Sequence, residues 1–455
     1  MKKYKILLSF FILLLIILST YFFLTKAPNK ILRSLISKEH KDLILKYILP
    51  YRFISHQEQI ISNLTPLSLE MKFKESLDEI VVLRNFTLSN GLFLERFNLV
   101  KGFYTGINNI IPGSGYIDFY ENNIVILSSR GVLAYSNNLT NSNNLINKII
   151  FKQIKNNINY FINSSQFKRE KKFSLKDIMI SKNKIYISYT EEIKNNCFNT
   201  GIIYGDMNYE NIKFKKLFSP KECILSVNID GINREFAPTQ SGGRIVKFDD
   251  NHILLSIGEY RNRSLAQNKE SINGKIIKIN IQDSNYEIIS MGHRNPQGLY
   301  FDKENNFILE TEHGPNGGDE INLIEVERIN KNNILNFGWA VVSAGEHYGE
   351  KSKNVEKYKK FPLYKSHSKY GFIEPLKSFV PSIAISEIVK IDKNKYVVAS
   401  MKDKSLYFFE LNDEKEIINL ERVEILERIR DLKFYNNKLY LFLEDTASIG
   451  IINLN

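Results

Sequence analysis

Only two cysteines occur in 455 residues, Cys197 and Cys223, 26 positions apart. The chain can therefore close at most one disulfide, and the pair reads equally well as one bridge or as two separate buried thiols. Past the first 50 residues there is no basic run interleaved with aromatics, although the net charge is +12. Lys is scattered among Glu and Asn instead, which argues against a nucleic-acid partner and for a solvated surface. Nor is there any shortage of apolar residues: at 43% hydrophobic and 25% charged the chain has a globular composition, not a disordered one. Its length allows one large domain or two to three ordinary ones.

What is present begins with the N-terminus, "MKKYKILLSFFILLLIILSTYFFLTK". Lys2, Lys3 and Lys5 precede an uncharged run from Ile6 to Leu24, a length that just spans a bilayer. Ser19-Thr20-Tyr21-Phe22 is a poor cleavage site, so residues 1–27 are expected to be an uncleaved transmembrane signal anchor. The N-terminus is then cytoplasmic and the bulk exported, to a periplasmic or extracellular location. From Asn29 to about Ser62, apolar residues at helical spacing among many bases predict a helical stalk near the membrane. Residues 28–110 are assigned to this juxtamembrane stalk and lead-in.

Beyond about residue 110 the period changes. Short apolar strands separated by turns around Asn, Asp or Lys recur in six degenerate units, starting at Gly115, Ser174, Gly242, Asn295, Ser386 and Arg430. Unevenly spaced units of three or four strands fit radial repetition better than a sandwich. The fold expected is all-β, a six-bladed β-propeller over residues 111–455, preceded by the transmembrane helix and stalk. The C-terminal "SIGIINLN" is a candidate to supply a strand to the first blade. A propeller gathers loops at the rim of a central channel, so its site residues should lie scattered in sequence.

"ETEHGPNGGDEINLI", Glu310 to Ile324, sets a sharply turning backbone between two strands and follows it with two acids. This inventory of oxygen ligands suits a hard cation such as calcium. In "MGHRNPQGLYF", Arg294 and Asn295 stand at a strand entrance before a proline that cannot donate to a ladder. Lys402 lies in a strand-to-strand turn, and Arg428 and Arg430 alternate on one side of a strand. Four bases at equivalent blade ends would form a cationic pocket for a polyanionic ligand.

"GHRNPQGLYFD", "ETEHGPNGGDEINLI" and "NFGW", Asn336 to Trp339, together resemble the signature of the glucose and sorbosone dehydrogenase family, the soluble pyrroloquinoline quinone (PQQ)-dependent aldose sugar dehydrogenases. The resemblance runs from about Ser174 to the C-terminus and is most specific from Gly292 to Trp339. It implies a six-bladed propeller with PQQ held by Arg294, Asn295, Lys402, Arg428 and Arg430. It further implies one calcium on the carbonyls of Gly314 and Pro315, and a second, structural calcium on Glu320 and the carbonyl at Phe337. The family's proton acceptor is a His in a pattern like His-x-Gly-Gly-Arg. Here "APTQSGGRIVKF" places Gln240, or Thr239 if the gap is set differently, at that position, and neither is a general base near neutral pH.

Glu259, His293 and His313 are nearby alternatives, and Asp177 in "SLKDIMI" is a candidate to approach the channel. The expected function is that of a membrane-tethered quinoprotein that oxidises an aldose-type sugar and passes electrons to a quinone or cytochrome acceptor. The competing reading is a noncatalytic propeller that binds carbohydrate or protein.

Overall fold

The stretches "NIVILS", "HILLSI", "KYVVAS" and "KLYLFL" are apolar at nearly every position, not at alternate ones. Strands of that kind must be covered on both faces. The computed structural model describes residues 85–98, 114–129, 131–136, 151–162, 174–226, 236–329, 334–348 and 355–454. In it, six sheets, antiparallel except where Leu335–Asn336 joins the third in parallel, stand side by side and cover one another.

Each sheet begins on an inner strand: Gly115–Tyr120, Leu175–Ser181, Gly242–Lys247, Pro296–Asp302, Ile385–Asp392 and Ile429–Tyr435, for blades 1 to 6 in turn. Each inner strand touches the next, and the last touches the first. The ring so closed is the expected six-bladed β-propeller, and its blades start within a residue or two of the sequence repeats.

Successive side chains of a strand point to opposite faces, so each blade feeds two cores. Ile253, Leu255 and Ile257 pack toward blade 2, whereas Leu254 between them packs toward blade 4. Six hydrophobic clusters result, one in each gap between neighbouring blades.

The gap between blades 6 and 1 is sealed from the N-terminal side. Phe93–Asn98 pairs antiparallel with Ser448–Asn453, Leu94 facing Ile452 across the ladder. Leu94 enters the core between blades 5 and 6, and Phe97 the core between blades 6 and 1. "SIGIINLN" therefore stays in blade 6, where it receives an N-terminal strand; it does not supply one to blade 1.

Several expectations are corrected here. No helix among the described residues is long and apolar enough to cross a membrane, and residues 1–27, on which the transmembrane anchor was based, lie outside them. The described part of the expected stalk and lead-in, residues 85–98, holds strands; the remainder, like the stalk sequence 29–62, is outside the described residues. The alternation that puts Leu94 and Phe97 into two different cores is a strand period, not a helical one. The transmembrane helix, the helical stalk, the membrane as a partner and the anchored, exported localisation are accordingly not carried forward.

Cys197 and Cys223 form a disulfide, with Cα atoms 5.3 Å apart. It fastens the third strand of blade 2 to the short strand Ile224–Leu225. A bridge closing a loop of this length stabilises the fold by about 3 kcal/mol in the chain-entropy model.

Candidate functional site

The loop from His313 to Gly318 connects the second and third strands of blade 4, and its glycines are required by crowding. A Cβ on Gly314 would stand 1.9 Å from the Gly318 carbonyl oxygen, and Gly318 itself has φ +69. The two acids that follow divide, because neighbours on a strand face opposite sides. Asp319 turns back under the loop, accepting from the Gly314 N–H at 3.1 Å, the Ser382 hydroxyl at 2.7 Å and the Ile385 N–H at 3.2 Å. Glu320 points the other way, to His367 at 3.5 Å.

The loop forms one wall of a cavity of about 320 Å³. Also lining it are Thr239 and Gln240 from the entrance to blade 3, Arg294 and Asn295 from the entrance to blade 4, Lys402 from blade 5, and His313, Gly314 and Pro315. Eight residues singled out in the sequence, namely Thr239, Gln240, Arg294, Asn295, His313, Gly314, Pro315 and Lys402, thus meet around one space. Tyr348, Ser382 and Ala384 complete the lining; sequence reading missed all three, since they lie in irregular segments without a strand period.

Arg294 lies flat against Trp339, 5.4 Å from its ring centre. Its Nη1 donates to the carbonyls of His313, at 2.7 Å, and Gly314, at 2.6 Å. Two backbone oxygens therefore already converge on a positive group, which is the chemistry a hard cation requires. Asn295 is fixed by its Oδ1, which accepts from the Gly242 N–H and from Gln297 Nε2.

His313 Nε2 meets the Ile385 carbonyl at 2.6 Å, and its Nδ1 faces Asn295 Nδ2 at 3.4 Å. Burial lowers its pKa against the opposing pull of Asp319, with Arg294 lowering it further. Glu259 and His293 are fully buried and outside the cavity lining.

Arg428 and Arg430 stand behind this lining and not in it. Their Nε atoms both bond the buried Glu444, at 3.0 and 2.9 Å. Burial alone would raise the Glu444 carboxyl, but Arg430 and Arg428 together bring it below its ordinary value. Arg430 reaches the cavity through Gln297, 3.5 Å away, which in turn bonds Asn295. Arg428 lies 3.5 Å from the Met401 carbonyl, next to Lys402. Phe337 stacks on the His293 ring at 5.0 Å and sits on the Glu320 side of blade 4, away from the cavity.

Below the cavity the channel is closed by a polar hub. Arg244 Nη1 lies 2.6 Å from Asp431, 3.0 Å from Asp177 and 3.0 Å from Glu387, all four side chains being buried. Its other nitrogens donate to the carbonyls of Gln297 and Arg430. Asp177 does enter the channel, as a hub member and not as part of the cavity wall. The hub's remaining residues were legible only as single charges facing inward on inner strands.

Burial raises the Asp177 carboxyl and pushes Glu387 up to about 7, each against the pull of Arg244. A carboxyl raised in the folded state holds a proton that the unfolded chain has released, so stability declines as pH rises from about 4.5 toward about 7. Glu387→Gln is expected to flatten that decline. Urea midpoints at about pH 5 and about pH 8 test it, and equal slopes in the two proteins would contradict the assignment.

Comparison with known proteins bears on this geometry. Residues 170–452 match the family model described as Glucose / Sorbosone dehydrogenase. An uncharacterized protein, slr1608, of Synechocystis sp. is 29% identical over 222 residues, which are 42% of this chain and 50% of that one. The aldose sugar dehydrogenase YliI of Escherichia coli is 25% identical over 299 residues, 60% of this chain and 73% of its own. The chain thus spans half to three quarters of these relatives. Among solved structures, the PQQ-bound aldose sugar dehydrogenase of Streptomyces coelicolor superposes with a TM-score of 0.53 at 16% identity, covering 79% of this chain and 98% of that one. At such identity the likeness is one of fold.

Proposed function

Because the chain belongs to the Glucose / Sorbosone dehydrogenase family, we propose that it is an oxidoreductase that uses PQQ with calcium to oxidise a sugar at a hydroxyl-bearing carbon. The observation that carries this reading is the cavity lined by Arg294 and Lys402, in which Arg294 meets the paired His313 and Gly314 carbonyls. Cations beside a cluster of oxygen acceptors are a donor set for an anionic ligand bridged to a hard cation, so these residues fit the group. PQQ supplies a carbonyl that accepts hydride, more readily when a cation polarises it.

The chain's own residues bind and orient. Lys402 and Arg294 meet carboxylates, with Arg428 and Arg430 adding positive potential from behind, reduced by the shared Glu444. Gly314 and Pro315 would hold calcium through their carbonyls, the Gly314 oxygen then being shared with Arg294, and Asn295, beside His313, would hold the ligand edge. Glu320 and the Phe337 carbonyl are the proposed holders of a second calcium, on the other side of blade 4.

By the resemblance Gln240, or Thr239 if the gap is set differently, stands where the family has its proton acceptor, and neither side chain accepts a proton near neutral pH. This observation favours a second reading, a propeller that binds a sugar without turning it over. Dye reduction by the PQQ- and calcium-loaded protein with a panel of aldoses and sugar alcohols separates the two. The oxidoreductase reading expects slow, sugar-dependent reduction that Lys402→Ala abolishes; reduction at the no-sugar background for every compound would leave only binding.

A further inference from the structure

Arg428 and Arg430 flank Ile429 at the head of the inner strand of blade 6, and both side chains turn toward Glu444. Two guanidiniums brought together behind a cavity repel each other, and this carboxylate lets them coexist. Its Oε2 accepts from Arg428 Nε at 3.0 Å and its Oε1 from Arg430 Nε at 2.9 Å, with Arg430 Nη2 2.8 Å from the same Oε1. The Glu444 side chain is 3% exposed, against 25% and 20% for the two arginines. Nor is its backbone loose, because the Glu444 N–H donates to the Arg428 carbonyl at 2.8 Å. The neighbouring acids have other cations: Asp445 lies 2.8 Å from Lys404, and Glu427 pairs with Arg96.

We propose that Glu444 is an internal counter-ion that takes, at Arg428 and Arg430, the place of one ligand carboxylate, and so sets how much negative charge the cavity binds. The inference rests on the reading of that cavity as a site for an anionic ligand. Burial would raise the Glu444 carboxyl, yet Arg430 and Arg428 hold it below its ordinary value, so it is ionised near neutral pH. Two cations and one shared anion then leave the pair a single net positive charge. The outer ends of the two forks make weaker contacts. Arg428 Nη1 and Nη2 stand 3.5 and 3.7 Å from the Met401 carbonyl and sulfur, and Arg430 Nη1 stands 3.5 Å from Gln297 Oε1, distances at which a hydrogen bond is weak. Met401 precedes Lys402, and Gln297 bonds Asn295, and both Lys402 and Asn295 line the cavity.

A counter-ion and a mere structural tie make opposite predictions for Glu444→Gln, which keeps the shape and removes the charge. In the empty protein the variant leaves two guanidiniums side by side without their anion, so stability falls. An arriving carboxylate then meets uncompensated cations and binds more tightly. A tie that only held the arginines in place would lower stability and affinity together. Specificity-determining is therefore the role assigned to Glu444: it fits the cavity to a ligand carrying fewer carboxylates than four bases would accept.

The test is equilibrium titration of the full-length, calcium-loaded chain with PQQ and, separately, with trimesate, a planar tricarboxylate that is not a quinone, at low and high salt. Glu444→Gln is expected to bind about tenfold or more tightly than the unmodified chain, with a steeper loss in salt, while its unliganded melting temperature falls. Adding Arg428→Gln removes one cation along with the counter-ion, relieves the repulsion, and should return affinity to that of the unmodified chain. If PQQ binds neither protein while trimesate binds Glu444→Gln more tightly, the quinone reading fails and the counter-ion stands. The proposal is overturned if Glu444→Gln, folded by circular dichroism, binds both probes no more tightly than the unmodified chain. A double variant weaker by about tenfold or more, as expected if Arg428 held a ligand carboxylate on its own account, would overturn it as well, and decides the matter should the single variant not fold.

Discussion

Arg244→Met is expected to cost the propeller about 3–5 kcal/mol near neutral pH, the penalty for removing one partner of a buried ion pair. One guanidinium joins Asp177 of blade 2, Glu387 of blade 5 and Asp431 of blade 6, and it also holds the Gln297 and Arg430 carbonyls. The Tyr116 ring of blade 1 covers it at 5.3 Å. Without it, three carboxylates share one buried space with Lys433 as the remaining base. The loss has a predictable pH sign. In the variant Asp177 and Glu387 lose their largest stabilising charge and rise further in pKa, so the folded state takes up protons that the unfolded state has released. The variant therefore recovers stability as pH falls from about 8 toward about 5, whereas its loss is full at the upper end. Urea midpoints at both pH values check this; a loss below about 1 kcal/mol at about pH 8, the worth of a surface pair, would show that Arg244 is not the hub.

The second large effect is a gain. Gln240→His is expected to raise dye-linked turnover by about 10²–10⁴-fold, the contribution of a positioned general base, with little change in PQQ affinity. Gln240 lines the cavity together with Arg294, Lys402 and the Gly314-Pro315 step, so an imidazole there would line the proposed binding cavity. The gain should appear as pH rises through about 6.5, the ordinary imidazole value, since only the neutral ring accepts a proton. Steady-state rates across that range measure it. An unchanged rate in a variant that binds PQQ normally would mean that proton removal does not limit this protein.

Much of the propeller was readable because its physics is local. In blades 1, 3, 5 and 6 the second strand is apolar on both faces, and each unit opens on an inner strand, so six repeats announce six blades. Closure was misread because it depends on pairing across nearly the whole chain: nothing in "FLERFN" names Ser448–Asn453 as its partner. The membrane reading rested on residues 1–27 and a helical period after them, and the first described residues follow a strand period instead.

The cavity was legible where chemistry sits in a motif. Arg294, Asn295, Gly314 and Pro315 come from two adjacent stretches and line one cavity. Arg428 and Arg430 were placed one layer too far forward, because alternation shows which side they face and not that Glu444 waits there to hold them. Of the Arg244 hub and of a buried His293–Glu310–Glu312 cluster at blade 4, only Asp177 and His293 were singled out, each alone and not as part of a group. Their members are ordinary acids and bases in sequence, and only the ring of inner strands and the ladder of blade 4 bring them together.

The most direct test of the account is equilibrium binding of PQQ to the calcium-loaded and calcium-free protein, followed by quinone absorbance, in the unmodified chain and in Lys402→Ala. The account predicts one PQQ per chain, binding that weakens at least about tenfold without calcium, and a similar loss in Lys402→Ala, as expected for a charge-assisted contact. Binding indifferent to both calcium and Lys402, or no binding at all, would contradict the assignment of this cavity to an anionic quinone.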